Sequence, residues 1–506
     1  MPLALPTTTR TIIRMAPIAA AIALTACTVG PDFTPPASPG TPGYVAAGDT
    51  TQADGPGSAT QHVALGQKIA SDWWSLFHSQ ALDDVIRQAI AGNRTLASAK
   101  ATLSQAQEQI AAARGEQLPH ADLSVGAARE EEDYAAFGLP TKSATFNLFS
   151  VGPSVSYALD VFGGLRRALE SAEADAEAQR FQLAAAYLVL TGNVADDSID
   201  IASSRAELRA LDDIVGNDQQ NLDLVRAQVG AGSGTEVDVA TAQSQLANDR
   251  TLIPPVRQRL SAARHAVSLL VGRAPADWSP PAFDLSEFTL PRELPITLPS
   301  DLVHERPDIL AAEAQLHAAN ATIGVATARL YPQINLTAAI SQGALSAQNL
   351  FDPAYTGWSV GAGLVAPLFH GGELEAGRRR AIAALQGSMA TYQQTVLQAF
   401  TQVADVLQAL IHDDEEVTEQ RRARDAADEA LRLTRLRYAS GSVGILPVLD
   451  AQRQVAQSRL GYIRADAQRY HDSIKLLVAT GSGWRNAAPA EATTPATATV
   501  HDIAMP

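Results

Sequence analysis

The stretch FSVGPSVSYALDVFGG, residues 149–164, contains the change of pattern that decides the fold. Apolar residues alternate with small or polar ones from Phe149 to Leu159, which is the period of a β-strand. The alternation ends before Gly163-Gly164, and from Leu165 onward apolar residues recur every three or four positions, as in a coiled-coil helix. A strand that leads directly into a helix of this kind predicts mixed α and β structure.

The helix after Gly164 is predicted to be unusually long. From about residue 165 to 229 the chain contains no proline, and an apolar residue returns every seven positions. These residues are Tyr187, Val194, Ile201, Leu208, Val215, Leu222 and Val229. At ~1.5 Å per residue the helix would be about 100 Å long, which no ordinary globular domain accommodates. The aromatic content of 5% also favours long thin helices over a globular core.

The same arrangement occurs twice along the chain. Six residue pairs at one constant spacing carry the repeat: Leu96 and Ile309, Ala101 and Ala314, Leu103 and Leu316, Ile110 and Ile323, Pro119 and Pro332, Leu123 and Leu336. The motif Phe162-Gly163-Gly164 returns at Phe369 and Gly371-Gly372 with one extra residue. The protein is therefore predicted to consist of two similar halves in series.

Each half is predicted to contain two strands, a long helix and a shorter return helix after a Gly-rich turn. The first repeat, 61–272, has strands at about 120–130 and 145–160, a long helix at 165–229 and a return helix at 236–271 that Pro254-Pro255 interrupt. The second repeat, 301–480, has strands at about 333–342 and 356–366, a long helix at 373–439 and a return helix at 447–479. A linker, 273–300, joins the two repeats.

The four predicted strands have about the length, ~9 to 11 residues, that crosses a bilayer. A soluble antiparallel sheet is the alternative. In lipid, four strands cannot close a barrel, and open edges would leave backbone groups without partners. Several chains must then share one barrel, and three chains, unlike two, begin to leave a lumen. The sequence therefore predicts a transmembrane β-barrel of twelve strands from a trimer, although a larger ring stays open.

The N-terminus predicts export and lipidation. Arg10 and Arg14 precede a short apolar run that ends in Leu24-Thr25-Ala26-Cys27, and Cys27 is the only cysteine in the chain. Residues 1–26 are therefore predicted to be a lipoprotein signal peptide, and Cys27 to be the lipid attachment site, unless it is merely a small residue in an uncleaved leader. The Pro- and Gly-rich residues 27–60 are predicted to be a tether.

The C-terminal residues and the overall charge narrow the function classes further. Residues 481–506 are predicted to be a disordered tail. The formal charge of -16 gives no support to a nucleic-acid partner. An aspartate after the cysteine keeps many Gram-negative lipoproteins in the inner membrane. Thr28 stands at that position, and this resemblance favours the outer membrane.

Several motifs resemble those of the TolC-like outer-membrane efflux proteins, and within them the OprM and NodT type of lipoprotein. They are His304 to Glu313 (HERPDILAAE), Leu330 to Ile334 (LYPQI), Pro367-Leu368-Phe369, Arg437-Tyr438 and Val448 to Arg453 (VLDAQR). The resemblance extends over almost all of the chain from Cys27 to Ala479. It implies a homotrimer with a twelve-stranded barrel and a twelve-helix periplasmic tunnel. The implied function is the passive exit duct of a tripartite pump, with a periplasmic adaptor and an inner-membrane RND-type pump as partners.

The resemblance also implies a gate at the periplasmic end. Asp450 stands where the family places an acid that forms a ring at the constriction, and Leu446 matches an apolar gate residue. Asp238 and Tyr438 match a hydrogen-bonded pair that ties one hairpin to the other. Two departures are evident, because Pro447 replaces a second ring acid and Val443 replaces a latch arginine. The hairpin tips, where an adaptor would dock, are Gly232, Ser233, Gly234, Gly441, Ser442 and Val443.

Other function classes have less support in the sequence. Gly230 to Gly234 follows a helix and lacks the spacing of a phosphate loop, so it is interpreted as a helix hairpin. The acidic stretch Asp413 to Glu416 beside His412 is interpreted as a solvated helix face rather than a metal site. We predict no catalytic residues, no metal and no cofactor apart from the lipid on Cys27. A structural or adhesive trimeric coiled coil and a secreted enzyme remain the alternatives.

Overall fold

The computed structural model describes residues 28–41, 43–44, 61–67, 70–132, 143–481 and 484. The predicted signal peptide, Cys27, most of the tether and nearly all of the predicted tail lie outside these residues. The strands are β1 (His62–Leu65), β2 (His120–Glu132), β3 (Ala144–Leu159), β4 (Glu293–Ile296), β5 (Gln333–Ala344) and β6 (Thr356–Val365). The helices are α1 (Gln80–Gly92), α2 (Arg94–Gly115), α3 (Gly164–Gly230), α4 (Glu236–Arg250), α5 (Ile253–Val271), α6 (Pro299–Glu305), α7 (Pro307–Ala328), α8 (Glu373–Ala439) and α9 (Leu446–Ala479).

The two long helices dominate the secondary structure. α3 and α8 each contain 67 residues, and their bounds lie within one residue of those predicted from the heptad pattern. The first return helix is two helices, α4 and α5, because Pro254 and Pro255 cannot donate backbone hydrogen bonds and occupy the first turn of α5. Among the described helices, none is both long and apolar enough to cross a membrane.

The described residues form two compact units. The first unit contains residues up to Pro36 together with Thr102–Gln179 and Ala311–Gln393. At its centre is an antiparallel sheet in the order β2-β3-β5-β6, whose strands end within two residues of the predicted bounds. Tyr157 of β3 lies opposite Leu336 of β5, so the second predicted strand of the first repeat pairs with the first predicted strand of the second repeat. The two outer strands, β2 and β6, have no strand partner on their outer edges within the described residues.

The first residues after Cys27 pack against helices of the first unit. The guanidinium of Arg167, at the start of α3, donates to the carbonyl oxygens of Val29 and Gly30 and forms an ion pair with Asp32 at 2.7 Å. A Cβ atom on Gly30, whose φ is +99°, would lie 2.5 Å from the Cα of Gly324 in α7. The segment therefore runs directly against the helix surface, and Arg167 holds it there.

Replacing Arg167 with methionine should loosen this segment without unfolding the unit. The backbone N–H of Val29 donates to the carbonyl of Phe162 at 3.1 Å, so its hydrogen exchange reports on docking. Loss of a buried guanidinium with several partners should accelerate that exchange about tenfold or more. Arg166→Met is the matched control, because Arg166 is the adjacent residue with a more exposed side chain, and it should change the Val29 rate little. Equal rates in the two variants would contradict this role of Arg167.

The second unit contains Ala37–Ala101, Arg180–Leu310 and the residues from Gln394 onward. Its largest core is aromatic and aliphatic, with Trp73 and Phe77 fully buried and Phe77 facing Tyr470 of α9. Strands β1 and β4 form a short parallel ladder in the same unit. Elsewhere in this unit, heptad residues in the middle parts of α3 and α8 are fully buried, among them Ile201 and Val403. The far ends of these helices carry the candidate site.

Candidate functional site

In the second unit, the two long helices end in the same way. Gly232 and Gly441 adopt left-handed φ values of 76° and 72°. The N–H of Ser233 then donates to the carbonyl of Gln228, and the N–H of Ser442 donates to that of Arg437, which is the Schellman arrangement. Glycine adopts this backbone conformation without steric cost, so the Gly-rich turns end both helices sharply. The internal repeat thus produces two matching helix hairpins.

The two hairpins share one apolar core. Its buried members are Leu222, Val225, Ala242, Leu246, Leu431, Ile445, Val448, Leu449 and Val455, from α3, α4, α8, α9 and the turn before α9. Tyr438 packs against the edge of this core. Leu446, the predicted plug residue, is the first residue of α9 and remains 46% exposed. The hairpins are therefore held together mainly by apolar burial, which leaves Leu446 free to face another surface.

The structure does not bring Asp238 and Tyr438 together as a hydrogen-bonded pair. The carboxylate of Asp238 accepts from the backbone N–H and the hydroxyl of Thr235, and Thr235 in turn caps α4. The hydroxyl of Tyr438 accepts instead from the side-chain amide of Gln228 in α3. The Thr-x-x-Asp spacing of a capping box is visible in the sequence and explains the position of Asp238. The link between the hairpins at this point is Gln228–Tyr438.

Asp450 lies on the surface of α9 and is paired within the chain. Its carboxylate is 3.0 Å from a guanidinium nitrogen of Arg453, and its side chain is 73% exposed. Arg453 also donates twice to the side-chain oxygen of Gln245 in α4, at 2.8 and 3.0 Å. An exposed pair of this kind is weak and easily screened. Asp450 can therefore still present negative charge to the solvent while it is paired with Arg453.

A buried acidic pair lies beside Arg453, and no pattern in the sequence predicts it. Asp218 of α3 and Asp249 of α4 are both buried, and Asp249 accepts from the amide of Gln245 at 2.7 Å. Burial, followed by the neighbouring Asp249 carboxylate, raises the pKa of Asp218 to about 7, while Arg453 opposes the shift. The pair therefore changes its protonation state near neutral pH within the hairpin packing.

The predicted docking residues lie in the turns between the helices. Gly232, Ser233, Gly441 and Ser442 are exposed, whereas Gly234 and Val443 are half-buried. Val237, in the first turn of α4, is 71% exposed and lies three residues after Gly234. The sequence analysis did not select Val237 as a docking residue, although an apolar residue among polar ones in the first turn of a helix could have indicated it. Together with Leu446 it gives the hairpin ends exposed apolar side chains.

The acidic stretch Asp413 to Glu416 differs in part from its interpretation as a solvated face. His412, Glu415 and Glu416 are exposed, but Asp413 is buried. Burial and the neighbouring Asp472 carboxylate raise the pKa of Asp413 to about 7. The helix face prediction failed at this position because α9 covers one side of α8. Among the described residues, the histidines and acids form no cluster suited to a metal ion.

The family model for outer membrane efflux proteins matches residues 85–273 and 298–482, which are most of the two repeats and well over half of the chain. The chain belongs to the outer membrane efflux protein family. Individual relatives match over most of their length. The pyoverdine export outer membrane protein OpmQ of Pseudomonas aeruginosa is 30% identical over 436 residues, which are 85% of this chain and 91% of that protein. The cation efflux system protein CusC of Escherichia coli is 29% identical over 484 residues, or 93% of this chain and 99% of that protein.

A solved structure gives the same assignment. The outer-membrane channel OprN superimposes with a TM-score of 0.82 at 27% identity, with 90% of this chain and 100% of that chain covered. These relatives are channel and efflux proteins, and the chain is accordingly a channel component of an outer-membrane efflux system. It is located in the outer membrane with a part in the periplasm. The roles of Asp450, Leu446, Tyr438 and Asp238 in a gate remain predictions.

Proposed function

We propose that three copies of this efflux protein form one passive exit duct, with a shared twelve-stranded barrel and a periplasmic tunnel of twelve helical segments. The open sheet is the observation that carries the proposal. Exposed apolar side chains cover it, among them Leu123 and Val125 on β2 and Trp358 and Val360 on β6. In a bilayer, each unpaired backbone group on the two free edges would cost several kcal/mol, so copies must pair edge to edge. Two copies would give a barrel filled by side chains, whereas three leave a lumen.

The anchor of the duct is a lipid on Cys27 in the same proposal. A lipid on this cysteine would hold the N-terminus at the membrane surface beside the barrel. The docked segment from Val29 to Asp32 supports this arrangement, because it leaves few residues between the acylated cysteine and a fixed point on the protein. Mass spectrometry of the mature protein would test it: an N-terminal acylated Cys27 is expected, and an intact leader would contradict it.

The gate of the proposed duct lies at the hairpins. Three copies of Asp450 near one axis would raise the negative potential of a narrow mouth and favour cations. With Pro447 in place of a second acid, that ring would be single. Leu446 would supply an apolar constriction close to it. Docking of a periplasmic adaptor on the exposed turns, with an inner-membrane RND-type pump behind it, would separate the hairpins and open the duct.

Replacing Asp450 with alanine should weaken the cation preference of the channel. In planar bilayers the purified protein is expected to conduct cations better than anions, because the ring is negative. Loss of one charge per copy should shift the reversal potential in a salt gradient toward zero, with a larger shift at low ionic strength, where the Debye length is about 30 Å at 0.01 M. Reversal potentials measured at low and high salt check this result.

The control for this experiment is Asp425→Ala, which removes an exposed acid that pairs with Arg424 on α8. It should leave the reversal potential almost unchanged. The same selectivity in the Asp450 and Asp425 variants would contradict the ring. A trimer that shows no conductance, even when Tyr438→Ala has removed the link to Gln228, would contradict the duct itself. Crosslinks from an adaptor to the strands rather than to the turns would contradict the docking assignment.

A further inference from the structure

A cavity of about 470 Å³ opens between α3, α8 and α9 in the second unit. Its lining combines apolar and polar side chains from the three helices, among them Val189, Val406, Val478, Asn193, Gln402 and Asp405. Small-molecule sites in proteins usually have volumes of roughly 300–1,000 Å³ and a mostly apolar lining with a few polar groups. The cavity therefore has the size and the lining of a site for a small ligand.

The polar groups of the lining differ in whether they are available to a ligand. Asp405 is exposed on α8, and in the part of the chain that the structure describes its carboxylate has no hydrogen-bond or ion-pair partner. The amide oxygen of Gln402 is already occupied, because it accepts from the guanidinium of Arg306 at 2.9 Å. Asn193 is exposed on α3 and contributes a second amide oxygen. A ligand in the cavity would therefore find one free carboxylate and one available amide oxygen.

The other charged residues at the cavity are paired with neighbours. His471 of α9 forms a hydrogen bond with Asp196 of α3, and its second ring nitrogen lies 3.4 Å from the carboxylate of Asp200. Burial lowers the pKa of His471, but these two carboxylates outweigh burial and raise it to about 9, so His471 is positively charged at neutral pH. Lys475 pairs with Asp472 at 2.8 Å. The surroundings are negative overall, because two carboxylates share one imidazolium and the lysine has its own acid.

We propose that this cavity binds small organic cations that carry an apolar group, such as a primary ammonium joined to an aromatic ring. The ammonium group would donate to the carboxylate of Asp405 and to the amide oxygen of Asn193. The ring would lie against the apolar side chains of Val189, Val406 and Val478. An anion would be repelled by the negative surroundings. A neutral compound would lose the charge-assisted hydrogen bond, which is about twice as strong as a neutral one.

The position of the cavity on α3 relates it to the proposed duct. Val194 is fully buried in the main apolar core of the second unit. Asp196 follows two residues later, which is about 200° around a helix, so the cavity lies on the side of α3 away from Val194. The core and the elements packed on it cover the opposite side, so in the proposed trimer the cavity would face the tunnel lumen. This last step rests on the proposed function, whereas the binding site itself requires only one chain.

Binding of phenethylammonium to the purified protein tests the site. Phenethyl alcohol has nearly the same shape without the charge, so it is the matched neutral probe. Saturation-transfer difference NMR on the ring protons, with detergent alone as the blank, should show at least about tenfold tighter binding of the cation. An Asp450→Ala background excludes cations bound at the predicted ring, and at an ionic strength of about 0.15 M the Debye length of about 8 Å screens distant acids. Equal affinities for the two probes would overturn the proposal.

Asp405→Asn removes the free charge and keeps the shape of the side chain. In the same background it should weaken phenethylammonium binding about tenfold and leave the binding of phenethyl alcohol unchanged. Glu415→Gln is the matched control, because Glu415 is a 72% exposed acid on the same helix, about 15 Å further along. It should change neither affinity. Unweakened binding of the cation to Asp405→Asn would show that the assigned site is wrong.

A thiol at the rim of the cavity locates the bound cation. Val189 is 54% exposed, so the thiol of a Val189→Cys variant should react with a cationic methanethiosulfonate reagent. Phenethylammonium at about ten times its dissociation constant should slow this reaction about tenfold. Leu433→Cys is the control, because Leu433 is 47% exposed on α8 outside the cavity, and its rate should not change. The unmodified protein measures any background from Cys27, and protection at both positions or at neither would contradict the location.

The outcomes separate this site from the proposed duct. The mass of the detergent-extracted protein and its conductance show whether three copies form a channel. Trimers that conduct but bind the two probes equally would contradict the cation site alone. Monomers whose cation binding depends on Asp405 would support the site and contradict the duct. In conducting trimers, phenethylammonium should reduce the current less in Asp405→Asn than in the unmodified protein, and an equal reduction would contradict the position of the site in the lumen.

Discussion

Glu207→Ala should destabilise the helical unit by about 2–3 kcal/mol, the value expected when one partner of a buried ion-pair network is removed and the others can partly rehydrate. The side chain of Glu207 in α3 is only 2% exposed. Its carboxylate accepts from Arg259 of α5 at 2.8 Å and from Arg464 of α9 at 2.9 Å. One acid therefore ties three helices together, and its loss leaves two guanidinium groups with the same sign of charge close to each other.

The measurement is the thermal or urea unfolding of the purified protein, followed by helical circular dichroism. Glu207→Gln keeps the shape of the side chain and one acceptor oxygen, so it should lie between the alanine variant and the unmodified protein. The matched control is Glu419→Ala, since Glu419 is 67% exposed and its pair with Arg422 lies in solvent. That change should cost at most about 0.5 kcal/mol. Equal midpoints for Glu207→Ala and Glu419→Ala would show that the buried network contributes no net stability.

The elements of this fold could be predicted because each has a strong period. In β3 the alternation from Phe149 to Leu159 gave both ends of the strand within a few residues, and in α3 the heptads did the same over 67 residues. Pro254 and Pro255 gave the break between α4 and α5, since proline removes a backbone donor wherever it lies. Such patterns involve only residues that are close in the chain, so one sequence is enough to recognise them.

Contacts between distant segments could not be predicted in the same way. Glu207 lies next to the seam residue Leu208, and nothing in the chain around it points to Arg464, 257 positions away. The burial of Asp218 and Asp413 could not be predicted either, because an acid on a helix is usually exposed and only the packing of another helix buries it. The segment at Val29 was predicted to be part of a Pro- and Gly-rich tether, yet Arg167 binds its backbone carbonyls. Backbone groups are the same in every residue, so the sequence does not indicate which of them are bound.

The predicted gate residues combine a local pattern with a contact between distant segments. The family resemblance selected Asp238 and Tyr438, and the structure places both at the hairpins but gives them different partners, Thr235 and Gln228. The capping box of α4 is local and could have been recognised. The Gln228–Tyr438 contact is not local, since it joins α3 to α8 across 210 positions. The motif match thus selected two residues at the hairpins but did not predict the hydrogen bonds that they make.

The second large effect concerns pH and the packing of the hairpins. The pKa of the Asp218 carboxyl is raised from its ordinary value of 3.8 to about 7, chiefly by burial and then by Asp249. When the hairpins separate, the group returns to water and its pKa falls back. Between about pH 4 and pH 7 the packed form therefore holds a proton that the open form has released. Linkage requires the packed form to lose stability as pH rises through this window and to stay at the lower level above it.

We expect opening of the hairpins to become at least about tenfold easier between pH 5 and pH 7.5, since one pKa unit corresponds to ~1.36 kcal/mol and the pKa of Asp218 is raised from 3.8 to about 7 even with Arg453 opposing the shift. Hydrogen exchange at the amide of Val225, which is fully buried in the hairpin core, measures this opening once intrinsic exchange is corrected for pH. Below pH 7 the protonated Asp218 can donate its O–H to the Asp249 carboxylate. Above it, two carboxylates repel each other in the same buried space.

Asp218→Asn separates this mechanism from any general effect of pH, because the amide keeps the shape of the side chain and cannot ionise. The corrected exchange of Val225 should then be nearly independent of pH. Asp223→Asn is the matched control, since Asp223 lies on the same helix but is 62% exposed beside Arg226, and it should retain the full pH dependence. An unchanged pH profile in Asp218→Asn would mean that another group loosens the hairpins. In the proposed gate the duct opens when these hairpins separate, so the same variant should also remove the pH dependence of the opening rate in bilayers.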